Sequence, residues 1–441
     1  MAASETDPGV PETLPSLGPV ATGAPRFGYR WTILALLFAA TTVNYIDRQV
    51  LGILAPTLTR ELGWSEADYA AIVSWFSIAY ALGLFFVGRL MDRIGVRRGY
   101  PLSIVVWSLA AMGHALVRTV AGFSAMRALL AVGESGNFPC ALKTVAEWFP
   151  KKERALAVGI FNAGSNVGVV VAALTVPWIA LSLGWRWAFV ATGSFDLLWL
   201  IAWLLIYREP DRHPHLSGTE LAYIRSDPAE PAGRVAWGRL LGYRQTWAYI
   251  VAKALTDPVW LFYLFWLPKF LDTRWKVHLS GLALPLVIIY VAADVGSVAG
   301  GWTSGALMKR GWSVNRSRKT TMLVAALLIV PTMLAPSAGS LWVAIGIVAV
   351  AAASHQWWSA TLMTTPSDMF PKEWVGSVAG IGGCAGMLSA FLFQRLTGAL
   401  LQATGGDYAP VFAMLGFAYL CALALFHLLV PRLEPASLRA G

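Results

Sequence analysis

The feature that most limits how this chain can fold is a succession of twelve apolar runs, each long enough to cross a lipid bilayer. A hydrocarbon core about 30 Å thick takes roughly 20 helical residues to span. Apolar segments between Gly, Pro and charged breaks occupy about 30–58, 68–90, 100–118, 121–148, 154–180, 186–207, 246–271, 282–308, 320–337, 340–366, 374–403 and 408–430. They are too long, and alternate too weakly, to be barrel strands. Composition agrees, with 57% of the 441 residues hydrophobic and 13% charged, where soluble domains carry about 25% charge. The expected fold is all-α and membrane-integral. A soluble enzyme, a nucleic-acid-binding domain and a disordered chain are excluded.

The polar stretch 208–245, with Pro210, Pro214, Pro228 and Pro231 among mixed charges, separates six runs from six. The expected organisation is a disordered cytoplasmic tail over 1–28, a six-helix half over 29–207, a cytoplasmic linker over 208–245, a second half over 246–431 and a cytoplasmic tail over 432–441. The first segment carries Glu5, Asp7 and Glu12 before its first basic residue, Arg26, unlike a signal peptide. With the N-terminus inside, 23 Lys and Arg fall on cytoplasmic segments and six on the outer loops and helix ends. That bias sets the expected orientation in a plasma membrane, the inner one in a bacterium, with both termini cytoplasmic. It also accounts for the net charge of +10 without any nucleic acid.

The halves repeat. Glu147-Trp-Phe-Pro150-Lys151, with Gly159 beyond it, recurs as Asp368-Met-Phe-Pro371-Lys372 with Gly380 at the same offset, and Gly88-Arg-Leu-Met-Asp92-Arg93 recurs in degraded form as Gly305-Ala-Leu-Met-Lys309-Arg310. Parallel repeats of six spans relate the halves of one large transporter fold. The run Gly88 to Arg98 resembles the loop 2–3 signature of the major facilitator superfamily. Asn44-Tyr45-Ile46-Asp47-Arg48, Arg127 to Pro139 and Trp148 to Arg154 are similar to its anion–cation symporter family. Ala353-Ser354-His355-Gln356 and Asn315-Arg316-Ser317-Arg318-Lys319 resemble its hexuronate (galacturonate/glucuronate) transporters. Asp47 also matches the aldonate and dicarboxylate branches, whereas Gly382-Gly383-Cys384 stands where aldonate carriers have a polar amide. The resemblance covers roughly residues 29–430. It implies twelve helices in two halves and proton-coupled uptake of a sugar acid by alternating access.

Four charges fall inside spans one and four: Asp47, Arg48, Arg127 and Glu134. The last two are seven residues apart, so they share a helix face to within about 20°. At about 2.5–3.5 kcal/mol each on insertion scales, four unpaired charges would cost roughly 10–14 kcal/mol. Structural ion pairs stabilise poorly compared with apolar packing, so a functional reading is favoured. Arg48 and Arg127 suit a carboxylate, which a guanidinium binds through two parallel hydrogen bonds. A neighbouring acid competes for the same Arg. When substrate displaces it, loss of the counter-charge and persisting burial both favour its protonated form. Asp47 and Glu134 are therefore the expected proton carriers, with the proton gradient in place of any cofactor.

Further substrate contacts are expected from Tyr45 and, on the resemblance, from Tyr80 and Ser165. Asn162 and Asn166 neighbour Ser165, although Ala163, Gly164 and Gly168 also mark span five as a small-residue packing face. Trp260 and Tyr263 are spaced to stack on a sugar ring or to pack; His355 and Gln356 suit the substrate or a helix–helix hydrogen bond. Lys253 and Asp257 read as a structural or gating pair, and Asp294 has no evident role. Asp92 and Arg93 are the expected cytoplasmic latch. No metal site is expected, since the six His are scattered and Cys140, Cys384 and Cys421 share no spacing motif. A GxxxxGK[ST] loop for ATP is absent. The expected partners are the bilayer, protons and a small organic anion, on a monomer. Another anion (aldonate, aldarate, dicarboxylate or aromatic acid) and efflux are the alternatives.

Overall fold

The computed structural model describes residues 28–226, 237–434 and 436. Among them the chain is helical and contains no strand. In order the helices are α1 (Tyr29–Leu62), α2 (Glu66–Ile94), α3 (Val96–Gly113), α4 (Val120–Glu134), α5 (Asn137–Trp148), α6 (Lys151–Leu183), α7 (Trp185–Ile206), α8 (Gly218–Ile224), α9 (Trp237–Leu240), α10 (Arg244–Phe265), α11 (Leu267–Trp275), α12 (Ala283–Lys309), α13 (Val314–Ile329), α14 (Leu341–Leu362), α15 (Thr365–Met369), α16 (Lys372–Ala403) and α17 (Ala409–Leu429). Paired as α4–α5, α10–α11 and α14–α15, they make twelve spans, with α8 and α9 in the connecting stretch. The expected tail over 1–28, apart from Gly28, residues 227–236 of the expected linker, and 435 and 437–441 of the expected C-terminal tail lie outside the described residues.

Among the described residues, ten helical segments are long and apolar enough to cross a membrane on length and composition. The two spans that miss this measure are α1 and α4–α5. The first is diluted by Asn44, Asp47, Arg48 and Gln49; the second is broken between Glu134 and Asn137. These are the spans that hold the central charges. The second half also breaks in the matching span, but about two turns nearer the repeated Phe-Pro, at Met363 and Thr364 just ahead of Pro366.

Local sequence explains the turns between spans. Gly63, at φ 67°, closes α1 in the left-handed region, and Ser65 with Asp68 forms a reciprocal capping box that opens α2. Gly95, at φ 75°, reverses the chain between α2 and α3. Within the first half α1 packs on α6, α2 on α4, and α3 on α4 and α7; in the second, α12 packs on α14 and α10 on α16 and α17. The halves meet through α2 against α16 and α6 against α12. Gly164 and Gly168 bring α6 against the Phe38 and Thr42 carbonyls of α1, and Gly296 and Gly300 bring α12 against the Ala353 and Trp357 carbonyls of α14. Approach this close leaves no room for a Cβ.

The part of the connecting stretch that carries α8 is anchored to α1 and α6. Glu220 of α8 accepts from the Tyr29 and Arg30 backbone N–H groups at 2.9 and 3.2 Å, and Arg30 bridges Glu220 and Glu153 at 3.1 and 2.9 Å. At the opposite end of the bundle, remote from this linker, Arg60 of α1 pairs with Asp272 of α11 at 2.8 Å and Lys269 of α11 with Glu66 of α2 at 2.7 Å. These bonds tie the two halves together at the far end. Gly296→Val should lower the melting temperature and folded yield of the solubilised protein, overpacking costing about 1–3 kcal/mol. Gly301→Val, where a Cβ meets nothing within 4 Å, should not.

Candidate substrate site

One and a half turns of α1 send four buried polar side chains toward different neighbours. Arg48 reaches α4, where its Nη2 and Nε lie 2.7 and 2.8 Å from Glu134 Oε2, and it leans back on Asn44 Oδ1 at 3.4 Å. Asp47, about 100° round the helix, adjoins Thr192 and Asp196 of α7. Gln49 turns toward the second half and donates to the Tyr290 hydroxyl at 3.1 Å, which in turn donates to the Tyr263 carbonyl at 3.2 Å. The expected cluster of spans one and four is therefore assembled, and a crossing into α12 is added to it.

Aromatic rings complete the pocket around Arg48. Its guanidinium carbon lies 4.4 Å from the Tyr45 ring centroid and 5.1 Å from those of Phe76 and Tyr80. A cation desolvated against three ring faces gains attraction from each without forming a second ion pair. Tyr45 is half-buried and Tyr80 only 6% exposed, so Tyr45 is the more open edge of this pocket. The free oxygen of the pair, Glu134 Oε1, is buried without a hydrogen-bond partner.

Arg127 is placed differently from Arg48. It is fully buried, lies 4.7 Å from the Phe76 ring centroid and 5.2 Å from that of Phe265, and donates to the Arg48 carbonyl at 3.4 Å. Expected as a second carboxylate ligand, it is closed off by these rings in the state described. It fixes the backbone of α1 at the residue that carries the paired guanidinium, Arg48. Phe265 itself accepts from Tyr69 through its carbonyl, so the ring that covers Arg127 is held by a contact between the halves.

The remaining expected residues divide. Ser165 is buried and donates to the Asn162 carbonyl at 2.7 Å; Asn162 is exposed, and Asn166 donates to Asp294 of α12. Asp294 thereby gains a place at the α6–α12 contact between the halves. Trp260 stacks on His355 with ring centroids 5.1 Å apart, and His355 bonds the Tyr419 hydroxyl, which makes it a helix–helix contact. Tyr263 is fully buried, its hydroxyl 3.3 Å from that of Thr332, so it sits in the core of the second half, away from any sugar ring. Gln356 is half-buried. Lys253 and Asp257 pair at 2.8 Å, as their i, i+4 spacing predicts. Arg93 is exposed at the end of α2, and the side chain of Asp92 lies outside the described residues.

Sequence reasoning missed Gln49 and Asp196. The signal for Asp196 was present, since an acid inside span six is by default a functional candidate.

The geometry is that of a buried charge cluster where spans one and four meet, linked to the second half through Gln49 and Tyr290. Residues 37–394 match the Major Facilitator Superfamily. The chain is 31% identical to the hexuronate transporter of Escherichia coli (strain K12), over 93% of this chain and 96% of that one. It is also 31% identical to the galacturonate transporter of Dickeya chrysanthemi, over 69% of this chain and 90% of that one. Among solved structures it resembles a D-xylose–proton symporter, with a TM-score of 0.74 and 16% identity over 92% of this chain and 99% of that one. Twelve spans in two repeated halves, with charges buried where the first and fourth spans meet, thus belong to a membrane transporter and not an enzyme: the chain is a member of the Major Facilitator Superfamily.

Proposed function

We propose that this protein takes up a sugar-acid anion, a hexuronate in the first instance, together with protons by alternating access. The observation that carries the proposal is the buried Arg48–Glu134 pair, 2.7 Å apart and lined by Tyr45, Phe76 and Tyr80. The similarity to hexuronate and galacturonate transporters supports the substrate class.

The substrate carboxylate takes the guanidinium of Arg48 and displaces Glu134. The freed carboxylate, still buried and now without its counter-charge, takes up a proton. Substrate and proton therefore bind with positive coupling, and each favours the other by the same factor. Tyr45 and Tyr80 flank the Arg and supply hydroxyls for the sugar; Asn162 and Gln356 are the polar groups that would meet it from the two halves. The far-end bonds of Arg60 and Lys269 close that end, which is the outer one if the termini are cytoplasmic. In the opposite state Asp92 and Arg93 would latch the linker end.

In proteoliposomes with an imposed inward proton gradient, radiolabelled galacturonate should accumulate, ahead of galactonate and well ahead of benzoate. Preference for galactonate or benzoate would replace the hexuronate assignment, and gradient-independent equilibration of all three would remove proton coupling. Arg48→Lys keeps the charge but loses the planar fork, and should weaken substrate binding about 30-fold, or about 2 kcal/mol. Glu134→Gln should still exchange substrate across the membrane but lose gradient-driven accumulation. Full accumulation by that variant would take Glu134 out of the coupling.

A further inference from the structure

Asp196 is the buried acid that this transport scheme leaves unused. Its Oδ2 accepts from the Trp107 indole N–H at 2.9 Å and the Ser108 hydroxyl at 3.1 Å, both on α3. Its Oδ1 is buried and meets no donor, and its carboxyl adjoins that of Asp47 on α1. Asp47 is 2% exposed and Asp196 fully buried, and neither oxygen of Asp47 meets a donor. The neighbouring Thr192 hydroxyl instead donates to the Phe189 carbonyl at 3.4 Å. Three carboxylate oxygens of one small cluster are therefore left without a donor among the described residues.

Buried acceptors are almost always hydrogen-bonded, because their lost hydration goes uncompensated otherwise. Two adjoining carboxylates also repel when both are charged. One proton on either acid removes a charge and supplies a donor that pairs two of the three oxygens. The charged groups facing the pair are Arg127 from α4, which acts on Asp47, and beyond it Arg48 and Glu134; His114, past the end of α3, lies near Arg127. Trp107, Ser108 and Thr192 are neutral. With both guanidiniums charged and Glu134 as the anion of Arg48, one proton on the aspartates leaves the five-residue cluster with no net charge. Without it the cluster carries a net charge of about −1 in a dry interior.

We propose that Asp47 and Asp196 form a single proton site that holds one shared proton in the substrate-free protein, its remaining negative charge balancing Arg127. Asp47, expected from the sequence as a second carrier, thus keeps a standing proton while Glu134 exchanges the coupling one. Asp196 sets the alkaline limit of the cycle: once the shared proton leaves, an extra negative charge beside Arg127 and Arg48 opposes any incoming anion. The standing proton needs no particular substrate. Its effect on the alkaline limit rests on Arg48 being the anion receiver.

Infrared difference spectroscopy of the substrate-free protein in bilayers at neutral pH tests this directly, through the deuterium-sensitive carbonyl stretch of a protonated buried carboxyl. That band should be present in the wild type and in Glu134→Gln, and absent in both Asp196→Asn and Asp47→Asn. The two aspartate variants remove the pair from opposite sides, so either alone suffices if the other does not fold. A wild type without the band, or a band that survives in the aspartate variants, would overturn the proposal. Galacturonate counterflow adds a second reading. Asp196→Asn leaves Asp47 as the lone anion facing Arg127, with no shared proton to lose, so the alkaline limit set by that proton should disappear. An unchanged limit would count against the shared site, whereas absence of galacturonate binding would count only against the substrate assignment and leave the infrared result decisive.

Discussion

An ion pair in the middle of a membrane is the constraint on which the rest of this structure depends. Arg48 and Glu134 sit 2.7 Å apart, 3% and 0% exposed. Neither charge survives alone in such a place, and a pair so deeply buried adds little stability over apolar side chains of the same size. Its value lies in being exchangeable. In the proposed scheme a guanidinium that must always have an anion, and an acid that must have either a cation or a proton, together convert the arrival of a carboxylate into the uptake of a hydrogen ion. The broken fourth span follows from the same need, since it lets Glu134 end one helical segment while the chain continues past Gly136 as another.

The surroundings keep that exchange selective. Phe76 touches both guanidiniums, so one ring lies between the paired cation, Arg48, and the enclosed one, Arg127. Phe265, which covers Arg127 from the second half, has its carbonyl bonded to Tyr69 of the first. Movement of one half against the other therefore changes what lies over Arg127. The charge cluster and the far-end contacts, the Arg60–Asp272 and Glu66–Lys269 pairs, are thereby linked through α10 and α11, and the proposed cycle would act on the site through that link.

Much of this was legible in the sequence, because a bilayer penalises charge so heavily that every exception stands out. The twelve spans, the repeat of the halves and the meeting of spans one and four could all be read from apolar runs and the positions of Asp47, Arg48, Arg127 and Glu134. What could not be read was direction. Periodicity puts Asp47 and Arg48 about 100° apart but does not say that one faces α7 and the other α4. Nor does it reveal that Arg127 is roofed by rings from α2 and α10, or that Tyr263 turns into the core of its own half. His355 and Gln356 are adjacent in sequence and look alike as a polar pair, yet His355 is committed to Tyr419. Contacts between halves are set by packing across large sequence separations, and Gln49 to Tyr290, 241 residues apart, leaves no local trace.

The most direct measurement is the number of protons taken from a weakly buffered solution when galacturonate is added to the purified, substrate-free protein at neutral pH. About one proton should enter per molecule bound, since Glu134 must replace the cation it gives up. Binding with no change in the pH of the medium would mean that the carboxylate does not displace Glu134 from Arg48, and the coupling scheme would fall.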